Sequence, residues 1–276
     1  MTYTEYKPAS QLSHCVEKIW YCRAENMHAV NLTIPLLHHE LIFNFCDEYS
    51  VQKVNGGDEI SLPVAWINGL QSQAYYSYSS GRHEMLGVLF KPYGLKAFLK
   101  DPCHLLTDSF LDANLIFGNC FQYLVEEIQE TGEVCQKVAL VENFLTRRLA
   151  DTPPPGYLLY SVQQLPNLFG TKGFVNELCK DISISNKSLI TSFTKHIGIN
   201  PVKFSHLQVI NNAVQLLSEY PRQSLTSLGY TLKFYDQAHF IRLFKSVTSL
   251  TPSEYSAYVI NRKTEPGSHN FISVQG

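Results

Sequence analysis

The chain has 276 residues, with 22 Lys and Arg, 24 Asp and Glu, and 45% hydrophobic residues. That is one large or two ordinary domains with ample material for a core. No run approaches the roughly 18 apolar residues that a membrane span needs. The seven Cys, at 15, 22, 46, 103, 120, 135 and 179, include no CxxC and no regular framework. An odd count with no signal peptide points to a reducing cytoplasm rather than a disulfide-stapled secreted fold. The near-neutral total hides an asymmetry. Residues 157–276 hold 11 basic and 6 acidic residues, a net of +5, whereas residues 1–156 hold 11 and 18, a net of −7. A basic C-terminal half suits a polyanion partner.

Residues 1–110 read as β-rich. Leu41, Phe43 and Phe45 alternate with Ile42, Asn44 and Cys46, and Tyr76 and Tyr78 alternate with Ser77 and Ser79. Gly87 to Phe90 is a short apolar strand that ends at Lys91-Pro92, and Asn55-Gly56-Gly57-Asp58 is a turn. Short strands separated by such turns predict a small barrel or sandwich. From about residue 111 to 150 the period becomes helical. Phe121, Leu124, Val125 and Ile128 mark one face before Gly132, and Val134, Val138, Val141 and Leu145 mark a second. Two helices near 119–131 and 134–149 either pack on the barrel or meet a second copy. Asp151 to Gly156, with three prolines, is a stiff extended linker. The tail, 263–276, is polar and carries Pro266 and Gly267, which predicts a loose end.

Two stretches of the C-terminal half are copies of one unit. FTKHIGINPVKF (193–204) lies over FKSVTSLTPSEY (244–255) at an offset of 51 residues without a gap. The same offset brings Ser185 onto Asp236, Leu189 onto Phe240 and Ile190 onto Ile241. Two copies are too few for a solenoid and read as a tandem pair. In each, Ser185 or Asp236 caps a helix of about three turns, with apolar residues four apart facing the core. Asn200-Pro201 and Thr251-Pro252 then open a further helix. Thr251 and Glu254 form a capping box, which Lys203 leaves half-made in the first copy. Short amphipathic pieces precede both copies, at Val175 to Asp181 and Leu225 to Leu232. Helix, tight turn and helix with an outward polar face is the helix-turn-helix pattern.

Residues from about 172 to 260 resemble the DNA-binding domain of AraC/XylS-type transcription regulators, which joins two helix-turn-helix units by a long helix, here Pro201 to Ser218. FYDQAHFIRLFK (234–245) and LTPSEY (250–255) carry the resemblance. The first half departs from it. Thr191 stands where the family usually has Arg and Thr194 where it usually has Lys, and Ser183 and Lys233 take turn positions that are typically Gly. If those turns need positive φ, Lys233 costs about 1 kcal/mol relative to Gly. Residues 1–110 resemble the cupin-like sensory domain that precedes some such domains. The matching pieces are Tyr6-Lys7-Pro8, Val16 to Trp20, Ile34-Pro35, Glu40 to Asn44, Asn68-Gly69 and Gly87 to Gly94. The resemblance implies an α+β chain, with an N-terminal cupin-like β-barrel (1–110) and a helical segment that makes a homodimer (111–150). A Pro-rich linker (151–156), an all-α tandem helix-turn-helix domain (157–262) and a loose tail (263–276) complete it.

The expected function is that of a DNA-binding transcription regulator governed by a small-molecule effector, with double-stranded DNA as partner, no catalytic residue and no cofactor. Outward side chains of the two recognition helices would meet base edges: Asn186, Lys187, Ser188 and Thr191 in the first, Gln237, Ala238, Ile241 and Arg242 in the second. Arg242 can pair with guanine and Gln237 with adenine, and Lys195 and Lys245 suit phosphate. The 18-residue linking helix spans roughly 27 Å, which predicts half-contacts about 10 base pairs apart. Trp20, His38, Trp66, Tyr76, Tyr78 and Phe90 are candidates for an effector pocket. His38 and His39 alternate along a strand and cannot face one ion together. His38 and Glu40 can, but no further ligand set accompanies them, so no metal is expected. Two other readings stay open: a metal-binding cupin or enzyme with a helical appendage, and a binding module that has lost its affinity for DNA.

Overall fold

The computed structural model describes residues 2–150, 153–261 and 271–275. The N-terminal half is an antiparallel sheet. Its strands are β1 (Thr2–Tyr6), β2 (Val16–Thr33), β3 (Glu40–Asn44), β4 (Glu48–Lys53), β5 (Ile60–Ser61), β6 (Ala65–Asn68), β7 (Tyr75–Phe90) and β8 (Phe110–Asp112). Two 3-10 turns, Gly94–Phe98 and Cys103–Leu106, separate β7 from β8. The main path of the sheet runs β1-β2-β7-β3-β6-β8, with β4 on the other half of β7. The spine is the pair β2 and β7, which runs from Val16 opposite Phe90 to Thr33 opposite Tyr75 with register shifts between Val16 and Lys18 and between Ala24 and Met27. β7 serves two neighbours in turn, β4 along Tyr75 to Ser80 and β3 along Met85 to Leu89. It changes partner at Gly81, whose φ of +80° only glycine adopts without strain. Any Cβ there would also strike the Asp47 carboxylate, which accepts a bond from the Arg82 amide.

Strand alternation then sorts the side chains. Leu41, Phe43, Leu86 and Val88 point to one face of the sheet, while Ile42 and Met85 join Trp66 on the other. The first face is covered by α1 (Ala113–Phe117), α2 (Cys120–Glu130) and α3 (Val134–Arg148). Phe121, Val125 and Ile128 of α2, with Val138, Val141 and Leu145 of α3, are buried in that same core. The apolar faces read as possible dimer contacts are thus consumed within the chain. Lys137 adds a polar clamp: it is 5% exposed, lies 3.4 Å from Glu84 of β7 and sits 4.5 Å above the Phe45 ring.

Pro153 to Pro155 are not part of a regular element, and Pro155 precedes α4 (Gly156–Leu168), a helix the sequence pattern did not announce. The remaining helices are α5 (Phe174–Asp181), α6 (Asn186–His196), α7 (Pro201–Glu219), α8 (Leu225–Thr231), α9 (Gln237–Thr248) and α10 (Pro252–Asn261). They share one apolar core that does not stop at the domain boundary. It takes in Leu32, Ile34, Leu37, Leu70 and Ala74 from the sheet half.

The end of the chain departs most from expectation. Residues 263–270 lie outside the described residues, but Phe271–Gln275 is not loose. It forms β9, antiparallel to β2, with Phe271 opposite Thr33 and Ile272 opposite Leu32. An unpaired stretch of β2 supplies the backbone partners, and Ile272, 5% exposed, joins the shared core. Polar composition hid an edge strand.

Because Val138 is 6% exposed within this core, Val138→Asp is expected to unfold the chain rather than release a monomer. The loss should be about 3–5 kcal/mol, the cost of an uncompensated buried charge. It is read as a lower melting temperature in calorimetry. A well-folded variant of unchanged melting temperature would show that α3 is not core.

Candidate nucleic-acid interface and ligand cavity

The two helix-turn-helix units are built by local hydrogen bonding. Ser185 caps α6 by accepting from the Ser188 amide at 3.1 Å, and Asp236 caps α9 by accepting from the His239 amide at 2.6 Å. Asn200 caps α7, accepting from the Lys203 amide at 2.8 Å. At α10 the capping box is complete: the Thr251 amide donates to Glu254 at 2.6 Å, and the Glu254 amide to the Thr251 hydroxyl at 3.2 Å. The Glu254 carboxyl is held below its ordinary range by those bonds to Thr251.

The turns before α6 and α9 both use a left-handed residue that is not glycine. Ser183 has φ 55° and Lys233 has φ 59°. Each strains its own backbone by about 1 kcal/mol relative to Gly. At Lys233 the strain is accompanied by a contact, since its ammonium donates to the Asn167 carbonyl at 2.8 Å. The 51-residue offset fails here. Ile182, Ser183 and Ile184 donate to Leu178, Lys180 and Cys179, whereas Leu232, Lys233 and Phe234 donate to Leu228, Tyr230 and Gly229. Those matches are 50 apart, so the second turn is one residue longer. The added length brings Tyr235 into the open, wholly exposed beside the start of α9. Sequence reasoning passed it over, although it stands inside the FYDQ motif.

All ten candidate DNA contacts sit on α6 and α9. Asn186, Lys187, Ser188, Thr191 and Lys195 are exposed on α6, and Gln237, Ala238, Arg242 and Lys245 on α9; Ile241 is half-buried. They are not equally available. Asn186 is engaged at both ends of its amide, donating to Asn176 and accepting from the Cys179 thiol at 2.9 Å. Ser188 pairs with the Ser185 hydroxyl at 2.9 Å, and Thr194 donates back to the Ile190 carbonyl at 2.9 Å. These groups brace α5 and α6. Among the described residues, Gln237 and Arg242 make no such bond, so their full donor sets face outward.

The sheet half holds a cavity of about 1060 Å³. Of the six sequence candidates, Trp20 and His38 line it. The other four lie elsewhere. Phe90 is packed in the core under α2 and α3, and Trp66, 1% exposed, stacks on Tyr49 with ring centroids 5.6 Å apart. Tyr76 and Tyr78 fall on the wrong face of β7, where Tyr76 meets the helical core and Tyr78 donates to Gln52 at 2.8 Å. The alternation was right and its sense was reversed: Tyr75, Ser77 and Ser79 face inward. Small hydroxyl side chains there leave the room that tyrosines would fill. Gly87 has a similar effect, because a Cβ would lie 2.1 Å from the Trp20 ring that crosses it.

Sequence reasoning also missed the far wall. Tyr255, Tyr258 and Val259 of α10 and Phe271, Ile272 and Ser273 of β9 line the same cavity, so it lies between the two halves. Tyr255 in turn packs on Phe244 of α9, with centroids 6.0 Å apart. A second link is covalently adjacent to the cavity: Ala74, next to Tyr75, donates its amide to the Val247 carbonyl at the end of α9, at 2.8 Å. Among the described residues, no three His, Cys, Asp or Glu side chains gather as a metal would require.

His39 joins the halves at α6. It is 0% exposed; its Nδ1 accepts from the Leu70 amide at 3.0 Å and its Nε2 donates to the Ile197 carbonyl at 3.0 Å. That pairing requires the neutral ring, and burial pushes its pKa down to about 4. The unfolded chain, near 6.5, therefore binds this proton first. The stability His39 contributes is complete above about pH 6.5 and is lost as pH falls toward 4, by about 3 kcal/mol. The difference in melting temperature between wild type and His39→Gln should shrink across that window. A constant difference would remove His39 from the pH response.

Comparisons with known proteins divide the chain similarly. Residues 4–112 match a family described as a domain of unknown function (DUF6597), and residues 178–258 match a helix-turn-helix domain. The arabinose operon regulatory protein of Salmonella typhimurium is 26% identical over 150 residues, 51% of this chain and 53% of that protein. The Msm operon regulatory protein of Streptococcus mutans is 25% identical over 148 residues, 52% of this chain and 53% of that protein. The matches thus span about half the length of these relatives. Among solved structures, ToxT from Vibrio cholerae superposes over 93% of this chain and 98% of its own, with a TM-score of 0.50 and 9% identity, a likeness of fold.

Proposed function

We propose that this chain is an AraC/XylS-type regulator that reads duplex DNA with α6 and α9 under the control of a small molecule held in the cavity. The observation that carries this is the pair of capped helices with outward polar faces, α6 before the long α7 and α9 after it in the chain. The 19 residues of α7 span about 28 Å at 1.5 Å per residue. A linking helix of that length suits recognition helices that enter major grooves on one face of a duplex, with half-contacts about 10 base pairs apart. The halves contribute unequally. α9 offers Gln237 and Arg242 to bases and Lys245 to phosphate, whereas α6 keeps Lys187, Thr191 and Lys195 free of the bonds that occupy Asn186 and Ser188.

Effector control follows from the cavity walls. A ligand between the sheet and the α10–β9 wall touches the residues that support α9, so its binding energy reaches the recognition helix through Tyr255 and Phe244. Such a protein acts in the cytoplasm and needs no catalytic group. With α2 and α3 spent on the core, a homodimer would use their outward residues, such as Tyr123, 73% exposed, and Leu115 of α1, 78% exposed.

Arg242→Ala should cost about 1–3 kcal/mol on a selected duplex and relax base preference at one position. Thr191→Ala should cost less than half as much, and Lys245→Ala should weaken every duplex alike and flatten the salt dependence. Mobility shifts across a salt series measure all three. No loss for Arg242→Ala on any duplex would remove α9 from DNA reading.

Deleting residues 262–276 removes β9 and opens the cavity. DNA binding should persist while its response to ligand is lost. A truncated chain that responds like the full one would contradict coupling through this wall.

A further inference from the structure

Resting on the reading of the cavity as the effector site, we infer that its ligand is an organic cation: a protonated amine, amidine or quaternary ammonium on an apolar body. Glu40 is its anchor. Strand alternation turns Glu40 and Ile42 of β3 into the cavity, away from Leu41 and Phe43. The carboxylate is held in place by the Asn68 amide, which donates to it at 3.2 Å, and Asn68 is itself within 3.4 Å of the Tyr75 hydroxyl. A group so fixed presents its remaining lone pairs in one direction.

Among the described residues no cation forms an ion pair with Glu40, although Lys18 is near enough for its charge to act on it. From β2 the cation among the lining residues is Lys18, and it is paired with Glu5 of β1. Lys7 and Glu17 also line the cavity and offset each other in formal charge. From β7 comes His83, whose ring contacts the Cys46 thiol at 3.4 Å, and from the start of β3 comes His38, which donates to the Phe90 carbonyl at 2.7 Å. Burial lowers the pKa of both rings, so both are neutral near pH 7. α10 and β9 contribute no charged residue to the lining. Among the described residues the lining acids, Glu5, Glu17 and Glu40, outnumber the lining bases, Lys7 and Lys18, by one, and Glu40 is the acid without an ion pair that faces inward from β3.

That balance selects the ligand. An anion would meet Glu40 with no compensating charge. A neutral polyol would satisfy hydrogen bonds and leave a desolvated carboxylate unpaired or protonated. A cation supplies the missing charge, and the aromatic side chains Trp20, Tyr49 and Tyr75 line the same cavity. The cavity, about 1060 Å³, has room for a body of drug-like size behind the charged head. Burial pushes the Glu40 carboxyl above its ordinary range, against the hydrogen bonds from Asn68 and Trp20 and the charge of Lys18, which favour the ionised form.

The test is a thermal-shift screen of the full chain against a metabolite library graded by charge. It includes the matched set phenethylamine, 2-phenylethanol and 3-phenylpropionate, and it is followed by calorimetric titration of the strongest hit. The largest stabilisation should fall among the cations, and Glu40→Gln should weaken the hit at least tenfold. The wild-type ranking stands as a separate measurement should that variant melt poorly. Carboxylates or neutral sugars giving the largest shifts, or a hit indifferent to Glu40→Gln, would overturn the cation while leaving effector control intact. A library in which nothing shifts the protein or alters its DNA binding would overturn both.

Discussion

The sheet and the C-terminal helices share one apolar core, and that shared burial is the constraint from which the rest follows. Leu32, Ile34, Leu37, Leu70 and Ala74 leave the sheet half to pack among the helices, and Ile272 returns from the chain's end to join them. Each large aliphatic in such a seam is worth about 2–5 kcal/mol against alanine. The two halves therefore do not behave as beads on a string, despite the three prolines between them. Polar contacts register the seam at both recognition helices: His39 and Thr107 hold the Ile197–Gly198 end of α6, and Ala74 holds Val247 of α9. The spacing of the DNA-facing helices is consequently a property of the whole chain.

The same seam explains why the cavity matters. A pocket inside the sheet alone would have walls indifferent to DNA. Here the wall includes α10, which the Thr251–Glu254 box fixes at its start, and β9, which is tied to β2 by backbone pairing. A ligand that favours one packing of this wall shifts the arrangement of α9 by as much as it distinguishes the two packings. The two helix-turn-helix units have diverged under this arrangement. In the first, Asn186 and Ser188 are exposed but hydrogen-bonded within the unit and Thr194 bonds its own helix, and in the second the turn is longer and, among the described residues, Gln237 and Arg242 make no such bond. Both turns keep a strained non-glycine residue, Ser183 and Lys233.

The helical half was legible because its signals are local. N-caps at Ser185, Asn200 and Asp236 are read from side chains three residues from their partners, and the structure places each bond there. α4 escaped notice because Pro153 to Pro155 and Pro166 break the pattern around it, although Leu158 and Leu165 are fully buried. The strands were legible as strands, but their facing was not. A period of two states that Tyr76 opposes Ser77 without saying which is inside, and the volume of a cavity leaves no mark on periodicity. β9 depends on a strand far back in the chain, with Phe271 opposite Thr33, and the burial of α2 and α3 on sheet residues such as Phe43 and Val88, which no local window contains. The glycines at 81 and 87 held the missing information: one lets β7 change partner, the other lets Trp20 lie across the sheet.

The proposed DNA-reading surface joins α6 and α9 at a fixed spacing. The most direct measurement is selection of bound sequences from a random duplex pool by the full chain. The account predicts two enriched elements about 10 base pairs apart, with the sharper base preference in the element read by α9. A single element, or two elements whose spacing varies freely among the selected duplexes, would contradict it.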